Sequence, residues 1–367
     1  MSPLVTAIVA GALTLALSLL LPLVVKPLLV RLGIMDVPNE RSSHEKPVLR
    51  GLGLAVLIAV AVGYGVTLWG FTQTLNPWWQ PMLVVLVGGI AAGLLGLAED
   101  LRGVSVLVRS LVLLAIGVAV PLGLWALRST DDGSALFGFI PGASEWPFAG
   151  TATTTVPLPG WALLALLPYA VLFLSSYINV ANFMDGLNGI SGFHGVITGI
   201  TFAAAGWFAG LPWLLAAGLV LAAGFAGFLP WNLTKPGAFL GDVGSYLLGG
   251  ATAVTSFAAL ASGVPILATI GPMIIYFGDV GVTLVKRVRA GHKWDEPHKE
   301  HVYQRLNQLG LSHVQASGIN ALFTIAASVL GLVSLFVAPI WWLLLLVLGL
   351  ALVVLYVRMP KLLARRA

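Results

Sequence analysis

The feature that most constrains this chain is a series of apolar segments, each long enough to cross a lipid bilayer. A spanning helix needs about 20 mostly apolar residues. Eleven such segments are expected, at 3–25, 51–71, 81–98, 106–127, 160–178, 189–208, 211–229, 243–262, 264–285, 316–336 and 340–357. Of the 367 residues 58% are apolar and only 9% are charged, whereas about a quarter of a soluble domain is charged. We therefore predict an all-α, polytopic membrane protein in which residues 1–367 form a single membrane domain.

The charged residues indicate which segment ends share a face of the membrane. With eleven crossings the termini lie on opposite sides, and eighteen of the 19 Lys and Arg residues then fall on one face. Because basic residues accumulate on the cytoplasmic side, we expect the N-terminus outside and the C-terminus in the cytoplasm. The opening run 1–25 has no basic segment before it and is too long for a signal peptide, so we expect a retained span.

Eleven of the 14 Asp and Glu residues fall on the same face as the basic residues. The expected cytoplasmic loops are 26–50, 98–106, 178–189, 230–243 and 286–315, and the long outer loop is 128–159. Acid mixed with base at one water interface is typical of a site that binds a metal and a phosphorylated substrate. The outer loop is expected to be an exposed connector. The absence of cysteine from the sequence excludes disulfides, thiolate nucleophiles and Cys-ligated metals.

The first inner loop is interpreted as a cradle for anions. His44, Lys46 and Arg50 precede Gly51 and Gly53, which allow a close approach of the backbone to an anion. A basic loop that only sets the orientation of the protein explains this segment equally well when it is taken alone.

Carboxylates at span ends are the candidate catalytic and metal-binding groups. Glu99 and Asp100 end the third expected span, where adjacent carboxylates are usually wet, paired or metal-bound. Asp242 lies between glycines just before the eighth span, and Mg²⁺ at this position would bridge it to a phosphate. The alternatives are a solvated helix end for the first pair and a helix N-cap for Asp242.

The loop 178–189 contains amides and a carboxylate in a glycine setting. Its candidate binding residues are Asn179, Asn182, Asp185 and Asn188. A plain turn would need a single Asp-Gly or Asn-Gly pair. Groups of this kind suit a nucleobase edge and a ribose, where each polar group must find a partner.

The fifth inner loop is basic and is interpreted as a recognition site for a diphosphate and a sugar. Its candidate side chains are Arg287, His301, Tyr303, Gln304 and Arg305. His298 and His301 are expected on one helix face because they are three residues apart, but a zinc site needs more ligands. A wet basic loop on anionic lipid is the alternative. Asp279 is expected deeper in a span, with no assigned role.

Taken in order, these five segments resemble the polyprenyl-phosphate sugar-1-phosphate transferase family, which includes the MraY and WecA types. The resemblance extends from Asp36 to Leu306. It implies that a UDP-N-acetyl-hexosamine donates its sugar-1-phosphate to undecaprenyl phosphate, which gives a lipid-linked sugar diphosphate and UMP. It also implies Mg²⁺, with Mn²⁺ as an alternative, bound by Asp242 and Asp100. The expected location is the bacterial inner membrane with the site on the cytoplasmic face. The expected partners are these two substrates and membrane lipid, without nucleic acid, and a homodimer is left open.

Three positions depart from the pattern of that family. Its paired aspartates are Glu99 and Asp100 here, its second Asp in the Asn-x-x-Asp-Gly-x-Asp-Gly stretch is Asn188, and its His-x-His-His is the stretch 301–304. The last change resembles the branch that initiates O-antigen or capsule repeats, often with 6-deoxy-N-acetyl sugars. A carboxylate is kept at both positions of the first pair. We therefore assign the main catalytic role to Asp100, as a base toward the lipid phosphate or as a metal ligand.

Two other classes of protein have a similar number of spans. A secondary transporter would place charged or broken-helix sites near the middle of the membrane, whereas the acids here are expected at inner span ends. A non-catalytic scaffold that binds lipid would not need Asn182, Asp185 and Asp242 in glycine settings.

Overall fold

The computed structural model describes residues 1–33, 35–36, 48–74, 78–127, 138–139, 156–157, 160–234, 237–293 and 298–364. These residues form α1 (Pro3–Leu20), α2 (Pro22–Arg31), α3 (Gly53–Gln73), α4 (Trp79–Arg102), α5 (Val106–Leu127), α6 (Gly160–Met184), α7 (Ile190–Phe208), α8 (Pro212–Asn232), α9 (Gly241–Ala261), α10 (Ile266–Ile270), α11 (Ile274–Arg289), α12 (Val302–Gln308), α13 (His313–Val333) and α14 (Trp342–Ala364). The described residues also form two antiparallel pairs of two-residue strands, β1 (Met35–Asp36) with β2 (Val48–Leu49) and β3 (Gly138–Phe139) with β4 (Val156–Pro157). The all-helical prediction is confirmed.

Ten helical segments in the described part of the chain are long and apolar enough to cross a membrane. Two of them combine neighbouring helices, α1 with α2 as Pro3–Arg31 and α10 with α11 as Ile266–Arg289. The remaining expected segment, 189–208, is α7, which is 19 residues long. Its Ser, Thr, His and Gly residues make it less apolar than the ten. The side of the membrane on which each terminus lies stays a prediction.

Helix α9 lies at the centre of the bundle, with 94% of its span buried. Glycines let its neighbours approach on two sides. A Cβ on Gly250 would lie 2.4 Å from Ala92 Cβ of α4, and a Cβ on Gly249 would lie 2.7 Å from Ile178 Cα of α6. The packing therefore holds the start of α9 where α4 and α6 end. By contrast, α14 is peripheral, with 17% of its span buried.

Two features of the second half of the chain were not expected from the sequence. A 3₁₀ turn, Gly271–Met273, divides the ninth expected span into α10 and α11. Gly271 lies against α13, where its Cβ would be 3.3 Å from Gly331 Cα. The short helix α12 lies within the fifth inner loop, and its Tyr303 contacts the end of α6.

Candidate active site

Backbone hydrogen bonds join the first inner loop to the fourth. Phe239 donates its N–H to Leu49 O at 2.8 Å, and Gly53 donates its N–H to Leu240 O at 2.8 Å. Gly53 is required for this approach, because a Cβ there would lie 2.5 Å from Leu240 O. The starts of α3 and α9 therefore lie side by side.

Asp100, near the end of α4, caps the first turn of α9. Its Oδ1 accepts the N–H of Asp242 at 3.1 Å, and its Oδ2 accepts the N–H of Val243 at 2.8 Å. Free amides and the helix dipole favour a carboxylate at a helix N-terminus. Gly96 permits the contact, since a Cβ there would lie 2.1 Å from Asp242 O. The Asp100 side chain is only 2% exposed.

Arg50 and Asn182 complete the cluster around Asp242. Arg50 lies between two carboxylates, with Nε 2.9 Å from Asp100 Oδ1 and Nη2 2.5 Å from Asp242 Oδ2. Asn182, near the end of α6, donates from Nδ2 to Asp242 Oδ1 at 2.8 Å and to Ser245 Oγ at 3.0 Å. Side chains from the first inner loop, α4, α6 and α9 thus meet at one end of the bundle, as the sequence predicted.

Asp185 follows α6 in the link to α7 and lies close to the same cluster. Its Oδ1 accepts the hydroxyl of Ser191 at 2.6 Å. Burial, and to a lesser extent the negative charges of Asp242 and Asp100, raise the pKa of Asp185 to about 7 against the opposing effect of the Ser191 hydrogen bond. This carboxyl group therefore changes its protonation near neutral pH, and a nearby cation would favour its charged form.

Asn179 and Asn188 have their hydrogen bonds elsewhere. Asn179 Nδ2 donates to Ser175 O within α6. Asn188 Nδ2 donates to Asn232 O at 2.6 Å, and its Oδ1 lies 3.2 Å from His313 Nδ1. Asn188 thus joins the α6–α7 link to the end of α8 and the start of α13. The substrate-binding roles of both residues stay predictions.

In the fifth inner loop, the acidic residue Glu300 pairs with two arginines. Glu300 pairs with the buried Arg287, and its other oxygen lies 3.5 Å from Arg305 Nη2. The expectation that His298 and His301 share a helix face is wrong, because His298 precedes α12 and His301 is its N-cap. Their ring centroids are nevertheless 4.8 Å apart.

Asp279 holds His301 from inside the protein. It is fully buried on α11, and its Oδ1 lies 3.1 Å from His301 Nδ1. It also accepts the N–H of Val302 at 3.0 Å and the hydroxyl of Tyr356 at 3.1 Å. Asn320 Nδ2 in turn donates to the Tyr356 hydroxyl at 3.0 Å. Asp279 therefore fixes the orientation of the His301 ring from inside the protein.

Tyr303 and Gln304 fix α12 in place. The Tyr303 hydroxyl donates to Phe183 O at 3.0 Å, next to Asn182. Burial raises the pKa of Tyr303 well above its ordinary value, so it stays a neutral donor. Gln304 Oε1 accepts the N–H of His301 at 3.2 Å, as the second half of a capping box. Their direct contact with substrate stays a prediction.

The comparison with known proteins agrees with this geometry. The sequence model of glycosyl transferase family 4 matches residues 82–260, a segment that contains Asp100, Asn182, Asp185 and Asp242. Residues 82–260 therefore belong to glycosyl transferase family 4. The resemblance noted from the sequence is thereby confirmed.

Relatives from several organisms match the chain, two of them over a larger part of it. The chain is 28% identical over 312 residues to the probable undecaprenyl-phosphate N-acetylglucosaminyl 1-phosphate transferase of Bacillus subtilis. This match covers 83% of the chain and 78% of the relative. The chain is also 28% identical over 331 residues to the decaprenyl-phosphate N-acetylglucosaminephosphotransferase of Mycolicibacterium smegmatis, with 80% and 73% covered. A phospho-N-acetylmuramoyl-pentapeptide-transferase of Synechococcus elongatus is 41% identical over 123 residues, 32% of each chain.

The acidic cluster around Asp242 has a donor set suited to Mg²⁺. Within the described ranges no three Asp, Glu or His side chains form a metal-binding group by themselves. Mg²⁺ usually takes one or two carboxylates and completes its shell with phosphate oxygens and water. Asp242 fits this role, because its side chain is 20% exposed. Asp100 already receives two backbone N–H groups and Arg50, so its contact with metal stays a prediction.

Two predicted residues lie beyond what the structure describes, and one residue was overlooked. His44 and Lys46 are outside the described residues, so their roles stay predictions. The overlooked residue is Arg109, in the first turn of α5. An ionisable residue at the start of an apolar span is itself a signal for function, and the sequence reasoning used it only to orient the protein.

Proposed function

We propose that this protein transfers a sugar-1-phosphate from a UDP-N-acetyl-hexosamine to undecaprenyl phosphate and releases UMP at the cytoplasmic face of a bacterial inner membrane. The observation that carries this proposal is the meeting of Asp242, Asp100, Arg50 and Asn182 from separate parts of the chain. The names of the Bacillus subtilis and Mycolicibacterium smegmatis relatives support the reaction class.

Phosphoryl transfer depends mainly on positioning and on neutralising charge. Mg²⁺ held by Asp242 would offset the negative charge of the donor diphosphate. Asn182 orients the Asp242 carboxylate by donating to Oδ1. Arg50 holds Asp242 and Asp100 together and limits their repulsion. Asp185, with a pKa near neutrality, would become fully charged beside a bound cation.

The geometry favours a positioning role for Asp100 over the role of a base. Its carboxylate is almost fully buried and accepts hydrogen bonds from two backbone N–H groups of α9. These two donors and Arg50 hold the carboxylate against the start of α9, so its contacts already account for a positioning role. The acceptor phosphate is already an anion and needs little activation. Under this proposal Asp100 fixes the first turn of α9, and Glu99 contributes through its contact with Arg109.

The donor is proposed to be a UDP-N-acetyl sugar without a peptide. The names of the two long relatives suggest N-acetylglucosamine, while the late motif 301–304 suggests a 6-deoxy-N-acetyl sugar and a role in starting O-antigen or capsule chains. UDP-N-acetylmuramoyl-pentapeptide should fail because that motif differs from His-x-His-His. A panel of UDP-sugars, followed by mass analysis of the lipid product, decides between these donors.

Replacement of Asp242 by Asn tests the reaction. We expect UMP release to fall by at least about a hundredfold, which corresponds to roughly 2.7 kcal/mol of barrier. Ser262→Ala at the opposite end of α9 is the control, since its hydroxyl only bonds to Ala258 O of the same helix, and it should keep wild-type rates. Near wild-type release of UMP by Asp242→Asn contradicts the metal assignment.

The broken span α10–α11 raises the transporter alternative, because transporters use interrupted helices near the membrane centre. The break at Gly271–Met273 is flanked by the apolar residues Ile270 and Ile274, and it offers no charged group of its own. Counterflow of a UDP-sugar in vesicles, without formation of UMP, would favour transport. Absence of turnover with every donor would favour a lipid-binding scaffold.

A further inference from the structure

The start of α7 carries a buried histidine to which the proposed function assigns no role. His194 is 1% exposed, and its Nε2 lies 2.7 Å from the hydroxyl of Tyr177 on α6. Its Nδ1 has no hydrogen-bond partner among the described residues. A polar ring buried in this way lowers stability, whereas an apolar ring of similar size would not. An ionisable side chain inside a membrane helix bundle indicates a role beyond packing.

Tyr276 of α11 holds the first turn of α7 at two points. Its hydroxyl donates to Ile190 O, at the first residue of α7, at 3.2 Å. Its ring stacks on the imidazole of His194, with the ring centroids 3.8 Å apart and the planes 14° apart. Residues four apart are neighbours on one face of a helix. A single buried side chain of α11 therefore fixes both the position and the rotation of this turn.

Ser191 connects the same turn to the candidate site. It is 2% exposed, and its hydroxyl donates to Asp185 Oδ1 at 2.6 Å. Burial raises the pKa of Asp185, and the hydrogen bond from Ser191 is the largest opposing effect, because it favours the charged carboxylate. The hydroxyl of Tyr276 also interacts with Ser191. The donor to Asp185 is thus held in place by the contact between α7 and α11.

The other titratable and charged groups that face Asp185 come from five elements: Arg50 of the first inner loop, Asp100 of α4, Asp242 of α9, Tyr276 of α11 and Tyr303 of α12. The hydroxyls of the two tyrosines donate to backbone carbonyls. The arginine pairs with the two other aspartates. These contacts leave Ser191 as the hydroxyl donor to Asp185.

We propose that Tyr276 and Ser191 are positioning residues for Asp185. Tyr276 fixes the first turn of α7, and Ser191 on that turn holds the carboxyl group beside the cluster around Asp242. The same hydrogen bond favours the negative charge that a cation bound by Asp242 would attract. The use of this carboxylate in turnover rests on the proposed function, whereas its position and its charge do not.

The first test measures unfolding temperatures of full-length protein in detergent from pH 6 to pH 9, without metal or nucleotide. A carboxyl group with a raised pKa stabilises the folded state at low pH, and this contribution is lost as the pH rises through the folded pKa. Ser191→Ala should raise the pKa of Asp185 above its value of about 7 and extend this loss upward by about one pH unit. Tyr276→Phe should extend it in the same direction by a smaller amount. In the Asp185→Asn protein neither substitution should change the shape of the pH dependence.

Ser175→Ala and Tyr169→Phe on α6 are the matched controls. The hydroxyl of Ser175 bonds to carbonyls of its own helix. Tyr169 stacks on Phe173 and lies fifteen residues before the end of α6, which is about 22 Å along the helix. Both control proteins should keep the pH dependence of the wild type.

A uniform fall in the unfolding temperature of Ser191→Ala at every pH would mean that the serine is purely structural, and the proposal would be wrong. An unchanged pH dependence of Ser191→Ala would overturn it as well. If Ser191→Ala does not fold, Tyr276→Phe with and without Asp185→Asn decides the question in the same way.

Turnover tests the connection with the proposed function. At pH 7 Ser191→Ala should lower kcat/KM for the UDP-sugar about tenfold, which corresponds to about 1.4 kcal/mol. The loss relative to wild type should shrink toward pH 9, because the carboxyl group of Asp185 regains its charge. A loss of equal size at every pH would contradict the proposal. Absence of UMP release with every donor refutes the proposed reaction, while the unfolding experiment still decides the positioning role.

Discussion

The carboxylate of Asp100 accepts the backbone N–H of Asp242 itself, at 3.1 Å. A residue near the end of one helix therefore positions the first turn of the helix on which the proposed metal ligand lies. Arg50 closes the arrangement by pairing with both side chains. The position of Asp242 depends on α4 and on the first inner loop as much as on its own helix.

Asp100→Asn should lose both stability and activity. The amide group would place one N–H donor against a backbone donor of α9, and we expect a stability loss of about 1–3 kcal/mol. UMP release should fall by roughly a hundredfold or more. Thermal unfolding in detergent and UMP release are the two measurements. A variant that unfolds at the wild-type temperature but is inactive would favour the base role instead.

Gly53→Ala and Gly96→Ala should disrupt the site through sterics alone. The added Cβ would lie 2.5 Å from Leu240 O in the first variant and 2.1 Å from Asp242 O in the second. Both contacts are with backbone, which cannot turn away. Gly65→Ala on α3 is the control, because no atom lies within 4 Å of its Cβ, and alanine favours a helix by up to about 1 kcal/mol. Equal activity and unfolding temperature in all three variants would contradict the close packing described above.

Asp185→Asn should flatten the dependence of stability on pH. The pKa of Asp185 rises from 3.8 to about 7 on folding, so the folded state prefers the protonated form. The contribution of Asp185 to the free energy of unfolding is greatest below about pH 4. It falls by at most about 4 kcal/mol as the pH rises toward 7. Unfolding temperatures of wild type and variant, without metal or nucleotide, should therefore differ most at pH 8, with the variant more stable. A larger difference at pH 5 than at pH 8 would contradict this prediction. The variant should also lose activity, because a neutral amide does not offset the positive charge of a bound cation.

Asp279→Asn and His301→Ala should act on the same step. If Asp279 acts by orienting His301, the double variant should be no less active than His301→Ala alone. The reason is that the effects of substitutions at residues that act together are not additive. The KM for the UDP-sugar and kcat are measured for both single variants and the double variant. Losses that multiply would assign Asp279 a separate, purely structural role. Tyr356→Phe removes one donor to Asp279 and should produce a smaller effect in the same direction.

The sequence predicted the helices well because apolar length is a local property. The segment 106–127 agrees with α5 at both ends, and the ends of the other segments differ from the observed helices by up to seven residues. The sequence also predicted that Asp100, Asn182, Asp185 and Asp242 meet, because each follows or precedes a span on the expected inner face. It did not predict the break at Gly271–Met273, which depends on contact with α13.

The amino-acid sequence by itself determined that this chain is a bundle of membrane helices with its acidic and basic loops at one rim. The reason is that long apolar helices are stable in lipid, whereas charged side chains lie at the helix ends, in contact with water. Only the tertiary structure decided what each polar side chain does there. There Asp100 accepts backbone N–H groups at the start of α9, and Asn188 contacts Asn232 and His313. His301 contacts the buried Asp279. The physical reason is that a hydrogen bond is fixed by distances between residues far apart in the chain, and no spacing within one loop contains that information.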